Sequence, residues 1–401
     1  MFGSSCSKKT STKVTVATSA KHRSNTNASA GEPILSHASG KTSLEDNASD
    51  ITEDSILGLA SCTKLLTTIA ALKLVEAGHL SLDDPKLIEN HLPELCALEV
   101  ITSVPGEPLS FAKRSKPLTL RALLTHSSGV GYDMLSPQLQ TWRQARGEAP
   151  KMLSAPLPEA VATPLLFQPG EGWVYGGGLD WVGLLVECVS GMRLSEYMRK
   201  EIFDVVRCDG RIGFNKEALE DVYGIVQTVT RNGEGQFVNF PYPPVEQKSD
   251  RGGGGVYASA RNFLKVLVDL VSEEPKLLRA KTLDLLFAPQ FTEGSQVLEA
   301  LCKAKPIFDS MTGALTGGMA NEHVNHALGG LLITGDHERL GSTEGTMAWG
   351  GAFNCLWIVN RKLGIAAFYG SSMFPPGEKE SSILLEGFIK EVWGKIGLKS
   401  E

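Results

Sequence analysis

The spacing of apolar residues changes character several times along the chain. From residue 61 to 77, Leu65, Ile69, Leu72 and Val75 recur at three- and four-residue intervals. That period predicts an amphipathic or buried helix, and Gly78 supplies its stop. Residues 14–18 and 33–37 read as two short partner strands ahead of an apolar run at 55–60. The stretches 1–12 and 22–31, rich in Ser, Thr, Asn and Ala, read as loose loop. From about 83 to 248 the text is helical, broken by Pro and Gly, with helices expected at 118–124, 181–190 and 194–203. Four glycines at 252–255 make a break, after which Ser259 is the expected N-cap of a helix through Leu270. Strands are expected at 327–334, 346–360 and 365–370, and a helix at 381–396 closes the chain. Strands near both ends and a helical middle predict one sheet built from the two chain ends, with a helical insertion and a cleft between them.

Composition narrows the function. The chain has 401 residues, 42% apolar and 21% charged, with a net charge of −6. These values fit a folded globular protein and argue against nucleic acid as a partner. No run approaches the roughly 20 apolar residues of a membrane span. Seven widely spaced cysteines without a C-x-x-C pair argue against a disulfide framework or a zinc site. With no apolar secretory core among the first 31 residues, the expected location is the cytoplasm.

Three segments carry candidate chemistry. Ser61-Cys62-Thr63-Lys64 opens the first helix. Positions three apart share a helix face, so the Lys64 amine can reach the Ser61 hydroxyl. Serine is a weak nucleophile and needs such a base. The bland alternative is a capping serine followed by a solvated lysine. Trp173-Val174-Tyr175-Gly176-Gly177-Gly178-Leu179-Asp180-Trp181 places a phenol before a glycine loop, where backbone can approach a ligand and the phenol can relay a proton. The alternative is a tyrosine packed on a loop. Trp349-Gly350-Gly351-Ala352 lies in an expected strand, where glycines mark close approach by a ligand or by backbone. There the Ala352 N–H is placed to join that of Ser61 as an oxyanion hole.

In order and separation these segments resemble the serine β-lactamase and penicillin-binding-protein superfamily. Leu123-Leu124-Thr125-His126-Ser127-Ser128-Gly129 and Gly78-His79-Leu80-Ser81-Leu82-Asp83-Asp84-Pro85 add to the likeness. Tyr-Gly-x-x-Leu-Asp-Trp and Trp-Gly-Gly are similar to the esterase and acyltransferase branch. The resemblance runs from about residue 57 to 368. It implies an α+β, β-lactamase-like fold: a central antiparallel sheet flanked by helices, plus an inserted, mainly α-helical domain. The division expected is 1–84 with 250–401 as the mixed α/β domain and 85–249 as the helical one. The resemblance also implies Ser61 as acyl-accepting nucleophile, with Lys64 and Tyr175 as its general-base system. Two departures stand out: Gly177 occupies the place of a side-chain amide in the second motif, and Trp349 that of Lys or His in the third.

The expected activity is transfer of an acyl group from a thioester or ester to an alcohol in secondary metabolism, through acyl-Ser61. No cofactor or metal is called for. Expected partners are small-molecule ester or thioester and alcohol substrates, with an acyl carrier protein as a candidate donor. Trp173, Gly177, Trp181, Trp349, Gly350 and Gly351 are the candidate substrate-binding residues. A carboxylesterase and a non-catalytic binding or assembly protein are the alternatives. Cys62 is expected to pack rather than react, and His126 to make structural hydrogen bonds.

Overall fold

The computed structural model describes residues 13–19, 33–104, 106–240, 249–312, 315, 323–336 and 342–395. The loops expected at 1–12 and 22–31 lie outside them. The chain's strands are β1 (Lys13–Ser19), β2 (Pro33–Ser39), β3 (Ile56–Gly58), β4 (Tyr257–Ser259), β5 (Val324–His326), β6 (Leu331–Ile333), β7 (Thr346–Gly351), β8 (Cys355–Asn360) and β9 (Ile365–Ser371), beside shorter pairs in the middle of the sequence. A seven-stranded antiparallel sheet runs in the order β5-β6-β7-β8-β9-β1-β2. Both chain ends therefore contribute to one sheet, and β1 pairs along seven residues with β9.

The apolar run at 346–360 is two strands rather than one. Gly351 ends β7, and the chain turns back through Asn354, whose φ of +59° is a left-handed conformation. The Asn354 side chain fixes this turn, donating to the Met373 and Pro375 carbonyls at 2.7 and 2.9 Å. All residues of β7, β8 and β9 are buried, as expected for strands covered on both faces. Their period of two sorts the side chains. Met347, Trp349, Trp357 and Phe368 face the main core, where Phe263 of helix α4 (Ala260–Asp269) meets Phe368 edge-on at 5.0 Å. Ala348, Leu356, Ile358 and Tyr369 pack against Leu385, Phe388, Ile389 and Trp393 of the closing helix Lys379–Lys395.

Helix α1 (Thr63–Glu76) lies inside the molecule. Leu65, Ile69 and Leu72 are fully buried, and so are Leu66 and Thr67 on other faces. Such a helix is held by burial rather than by an apolar stripe. After it Gly78 takes φ +76°, which a side chain would oppose. Helix α2 (Leu120–Leu124) is capped by Thr119, and helix α3 is Gly178–Ser190. The helix expected over 194–203 is α-helical only from Leu194 to Met198 and continues as a π turn to Phe203. Within 85–249 a short strand, Ile212–Gly213, pairs with β4, which also pairs with β3. No helix of the described residues is long and apolar enough to cross a membrane.

Candidate active site

Ser61 sits on a 3₁₀ turn, Ala60–Cys62, between β3 and α1. Ala60 adopts φ +43°, a costly conformation for a residue with a Cβ. The end of β7 presses on this turn: a Cβ on Gly351 would lie 2.5 Å from the Leu59 carbonyl oxygen and 3.5 Å from the Ala60 Cβ. Only glycine permits that approach, which brings the backbone leading to Ala352 against the Ser61 turn.

Two side chains converge on the Ser61 hydroxyl. The Tyr175 hydroxyl donates to its Oγ at 2.5 Å, and the Lys64 ammonium donates at 3.2 Å. Lys64 is buried, and its remaining hydrogen bonds go to the Gly253 carbonyl at 2.6 Å and the Tyr132 hydroxyl at 3.4 Å. Its three N–H groups thus face three acceptors. The Nζ also lies 4.8 Å from the Tyr175 ring centroid. Lys64 of the first motif and the remote Tyr175 therefore meet at the Ser61 hydroxyl.

A buried carboxylate organises the far side of the lysine. Asp180 Oδ2 accepts from the Tyr132 hydroxyl at 3.0 Å, and Oδ1 accepts from the Gly253 N–H at 2.9 Å. Both partners of that carboxylate are themselves partners of Lys64. A Cβ on Gly253 would fall 2.5 Å from Asp180 Oδ2 and 2.6 Å from the Tyr132 oxygen, so glycine is required. Of the glycines at 252–255, Gly253 lies directly against the lysine, and Thr67 donates to the Gly252 carbonyl at 2.7 Å. Burial, and next the Asp180 charge, push the Tyr132 phenol well above its usual range, so it stays protonated. Sequence reasoning missed Tyr132 and the role of Asp180. Asp180 stands inside the second motif, while Tyr132 has only its place six residues after His126 as a signal.

Asp180→Asn tests this clamp. An amide has one acceptor oxygen for two donors, so one hydrogen bond to the carboxylate must fail. The expected result is a kcat lower by about 10–100-fold through misplacement of Lys64, with a native circular dichroism spectrum. An unchanged kcat would dismiss the clamp.

Around Tyr175 lies a cluster of rings. His126, with φ +60°, lies 4.9 Å from Tyr175 and accepts from the Gly176 N–H at 3.4 Å. Trp349 stacks on His126 at 6.3 Å and approaches Tyr175 at 5.3 Å. Trp173 stands 5.8 Å from His126. Trp181 does not join them. Its indole is fully buried in the core and donates to the Val161 carbonyl at 3.4 Å, so it anchors α3 there rather than standing with the rings around Tyr175. Gly177 is a packing position, because a Cβ there would lie 2.6 Å from Val161 Cγ1. Gly350 pairs with Leu356 within β7 and β8. Cys62 is fully buried, and burial raises its thiol well above the usual range, which makes it a poor nucleophile.

Burial also depresses both nearby imidazoles: His126 falls well below 6.5, and His326 falls from 6.5 to about 4. Unfolding exposes these rings to water, where they bind protons below about pH 6.5. The unfolded chain then holds more protons, so stability is lost as pH falls from 6.5 and the His326 loss levels off below about 4. At roughly 1.4 kcal/mol per pH unit, the His326 loss between pH 6.5 and 5 is about 2 kcal/mol. Urea denaturation at pH 7 and pH 5 checks this. Wild type should lose more stability than His326→Phe over that interval, and equal losses would refute the assignment.

A β-lactamase family profile matches residues 27–385. Over 370 residues the chain is 32% identical to the acyltransferase calJ of Penicillium decumbens, covering 91% of this chain and 87% of that one. A lovastatin esterase of Penicillium rubens is 34% identical over 326 residues, 77% of each chain. Among solved structures, simvastatin synthase (LovD) from Aspergillus terreus matches with a TM-score of 0.83 and 25% identity, covering 97% of this chain and 95% of that one. The likeness spans nearly the whole sheet and helical framework, and it leads to relatives named acyltransferase and esterase, the branch the second and third motifs resemble. This chain belongs to the β-lactamase family.

Proposed function

We propose that this protein is a serine acyltransferase that moves an acyl group from a thioester or ester to an alcohol of secondary metabolism. The observation that carries the reading is the convergence of the Tyr175 hydroxyl and the Lys64 ammonium on Ser61 Oγ, at 2.5 and 3.2 Å. Turnover begins when the Lys64–Tyr175 pair has lost a proton and can accept that of Ser61. Ser61 Oγ attacks the acyl carbonyl, and the Ser61 and Ala352 amides take the developing oxyanion. The pair returns the proton to the departing thiol or alcohol, leaving acyl-Ser61. An acceptor alcohol then gives its proton to the same pair and attacks the ester carbonyl, and the pair returns that proton to Ser61 Oγ as it leaves, restoring the starting state. No cofactor is needed. The site lies in the cleft between a discontinuous α/β part, 1–84 with 250–401, and the mainly helical part, 85–249. An acyl carrier protein fits as the thioester donor, and the cytoplasm as the location.

Water in place of the alcohol gives a carboxylesterase, a second reading favoured by the 34% identity to the lovastatin esterase. Exclusion of water decides between the two. The test supplies butyryl-N-acetylcysteamine with a panel of alcohols and follows ester against free butyrate. Ester as the main product is the expected result, whereas butyrate alone selects the esterase. No product, with no mass gain after a fluorophosphonate probe, would leave only a binding or assembly role.

A further inference from the structure

Among the described residues, the ring cluster beside Tyr175 contains three buried nitrogens without a hydrogen-bond partner: Trp173 Nε1, Trp349 Nε1 and His326 Nε2. Buried polar atoms in native proteins are normally satisfied, so three in one cluster call for an explanation. The rings are neighbours. The His326 centroid lies 6.2 Å from that of Trp173 and 6.1 Å from that of Trp349, with Phe291 at 6.1 Å closing the apolar surround.

The protonation state of His326 follows from its other nitrogen. Nδ1 contacts the carbonyl oxygen of Ala327, which only accepts, so Nδ1 carries the hydrogen. With burial holding the ring at about 4, the imidazole is neutral at physiological pH and Nε2 bears a free lone pair. The cluster therefore offers one unmet acceptor beside two unmet indole donors. A carboxylate would satisfy the donors but meet a lone pair at Nε2, and a cation would meet the indole hydrogens. A hydroxyl satisfies both kinds, donating to the imidazole while accepting from an indole.

We propose that His326, Trp173 and Trp349 form a subsite for a substrate hydroxyl other than the one that reacts, so that the preferred acceptors are diols or polyols. The assignment rests on the reading of Ser61 and Tyr175 as the reacting pair. Trp349 connects the two regions, since its ring lies 5.3 Å from Tyr175. Sites built to hydrogen-bond a hydroxyl discriminate strongly against analogues that lack it, because their buried groups are then left unpaired.

The experiment compares cis-1,3-cyclohexanediol with cyclohexanol. Each is titrated into the protein while intrinsic tryptophan fluorescence is followed, and each is supplied as acceptor with butyryl-N-acetylcysteamine. Wild type should favour the diol at least about tenfold, in Kd and in kcat/KM per hydroxyl. His326→Phe, which keeps a ring but removes the acceptor, should bring the preference near unity. His326→Gln, which keeps an acceptor oxygen, should retain part of it, and Trp349→Phe covers the case in which neither His326 variant folds. Equal affinity for the two alcohols in wild type would overturn the subsite and leave the cluster to an internal water. A preference that survives in His326→Phe or Trp349→Phe would overturn it too. The fluorescence titration needs no turnover. A diol preference in binding with no product formed would therefore refute the acyl-transfer reading while upholding the subsite.

Discussion

Ser61→Ala is expected to remove essentially all hydrolysis of p-nitrophenyl butyrate and all transfer from butyryl-N-acetylcysteamine, a fall of at least about 10⁴-fold in kcat. The hydroxyl lost is the one toward which Tyr175 and Lys64 both point. Lys64→Ala and Tyr175→Phe should each cost on the order of 10²–10⁴-fold. The double variant should be little worse than the poorer single one, since the groups act as one unit on one proton. Active-site titration with a fluorophosphonate accompanies the kinetics, because a folded Ser61→Ala should gain no adduct. Near-wild-type turnover in that variant would discard the mechanism.

The second large effect is discrimination against β-lactams. On the hydrogen-bond arithmetic, kcat/KM for p-nitrophenyl butyrate should exceed that for nitrocefin by on the order of 10²–10⁴-fold. Two hydrogen bonds to a β-lactam are missing, each worth roughly 1.5–3 kcal/mol where a charge is involved, and 1.36 kcal/mol is about tenfold in rate. Trp349 presents an aromatic ring where Lys or His would meet the β-lactam carboxylate. Gly177 lacks the amide that would hold its side chain, and Gly177→Asn should not restore it. An added Cβ would lie 2.6 Å from Val161, so that variant should lose stability instead. Nitrocefin as the better substrate would sink the expectation.

The same residues show what a single chain of letters reveals. The first helix is legible because its burial follows a period that Leu65, Ile69 and Leu72 express directly. The doubling back at 351–355 is not, because Ala352 and Phe353 continue the apolar run and the turn depends on an asparagine held by Met373 and Pro375. In the site, Ser61 and Lys64 are readable from local spacing. Tyr132 is not, since its significance arises only when Asp180 and Lys64, distant in sequence, meet at its hydroxyl. Trp181 misleads because helix α3 begins between it and Tyr175, and one turn of helix carries the indole into the core.

The antiparallel pairing of Lys13 with Ser371 also bears on synthesis. A ribosome delivers β1 and β2 before the other strands of this sheet and β9 after them, so this part of the sheet stays open until residue 371 has been made. Contacts between residues so far apart are slow to form, and an unpaired strand invites pairing with other chains. Segments such as α1, with its many buried side chains, emerge early and must wait for the layer that covers them. Premature termination before β9 would therefore yield a chain with Ser61, Lys64 and Tyr175 all present and an unclosed sheet beside them. Closure of the sheet by β9, which comes later in the chain than Ser61, Lys64 and Tyr175, is therefore a step apart from the making of any motif.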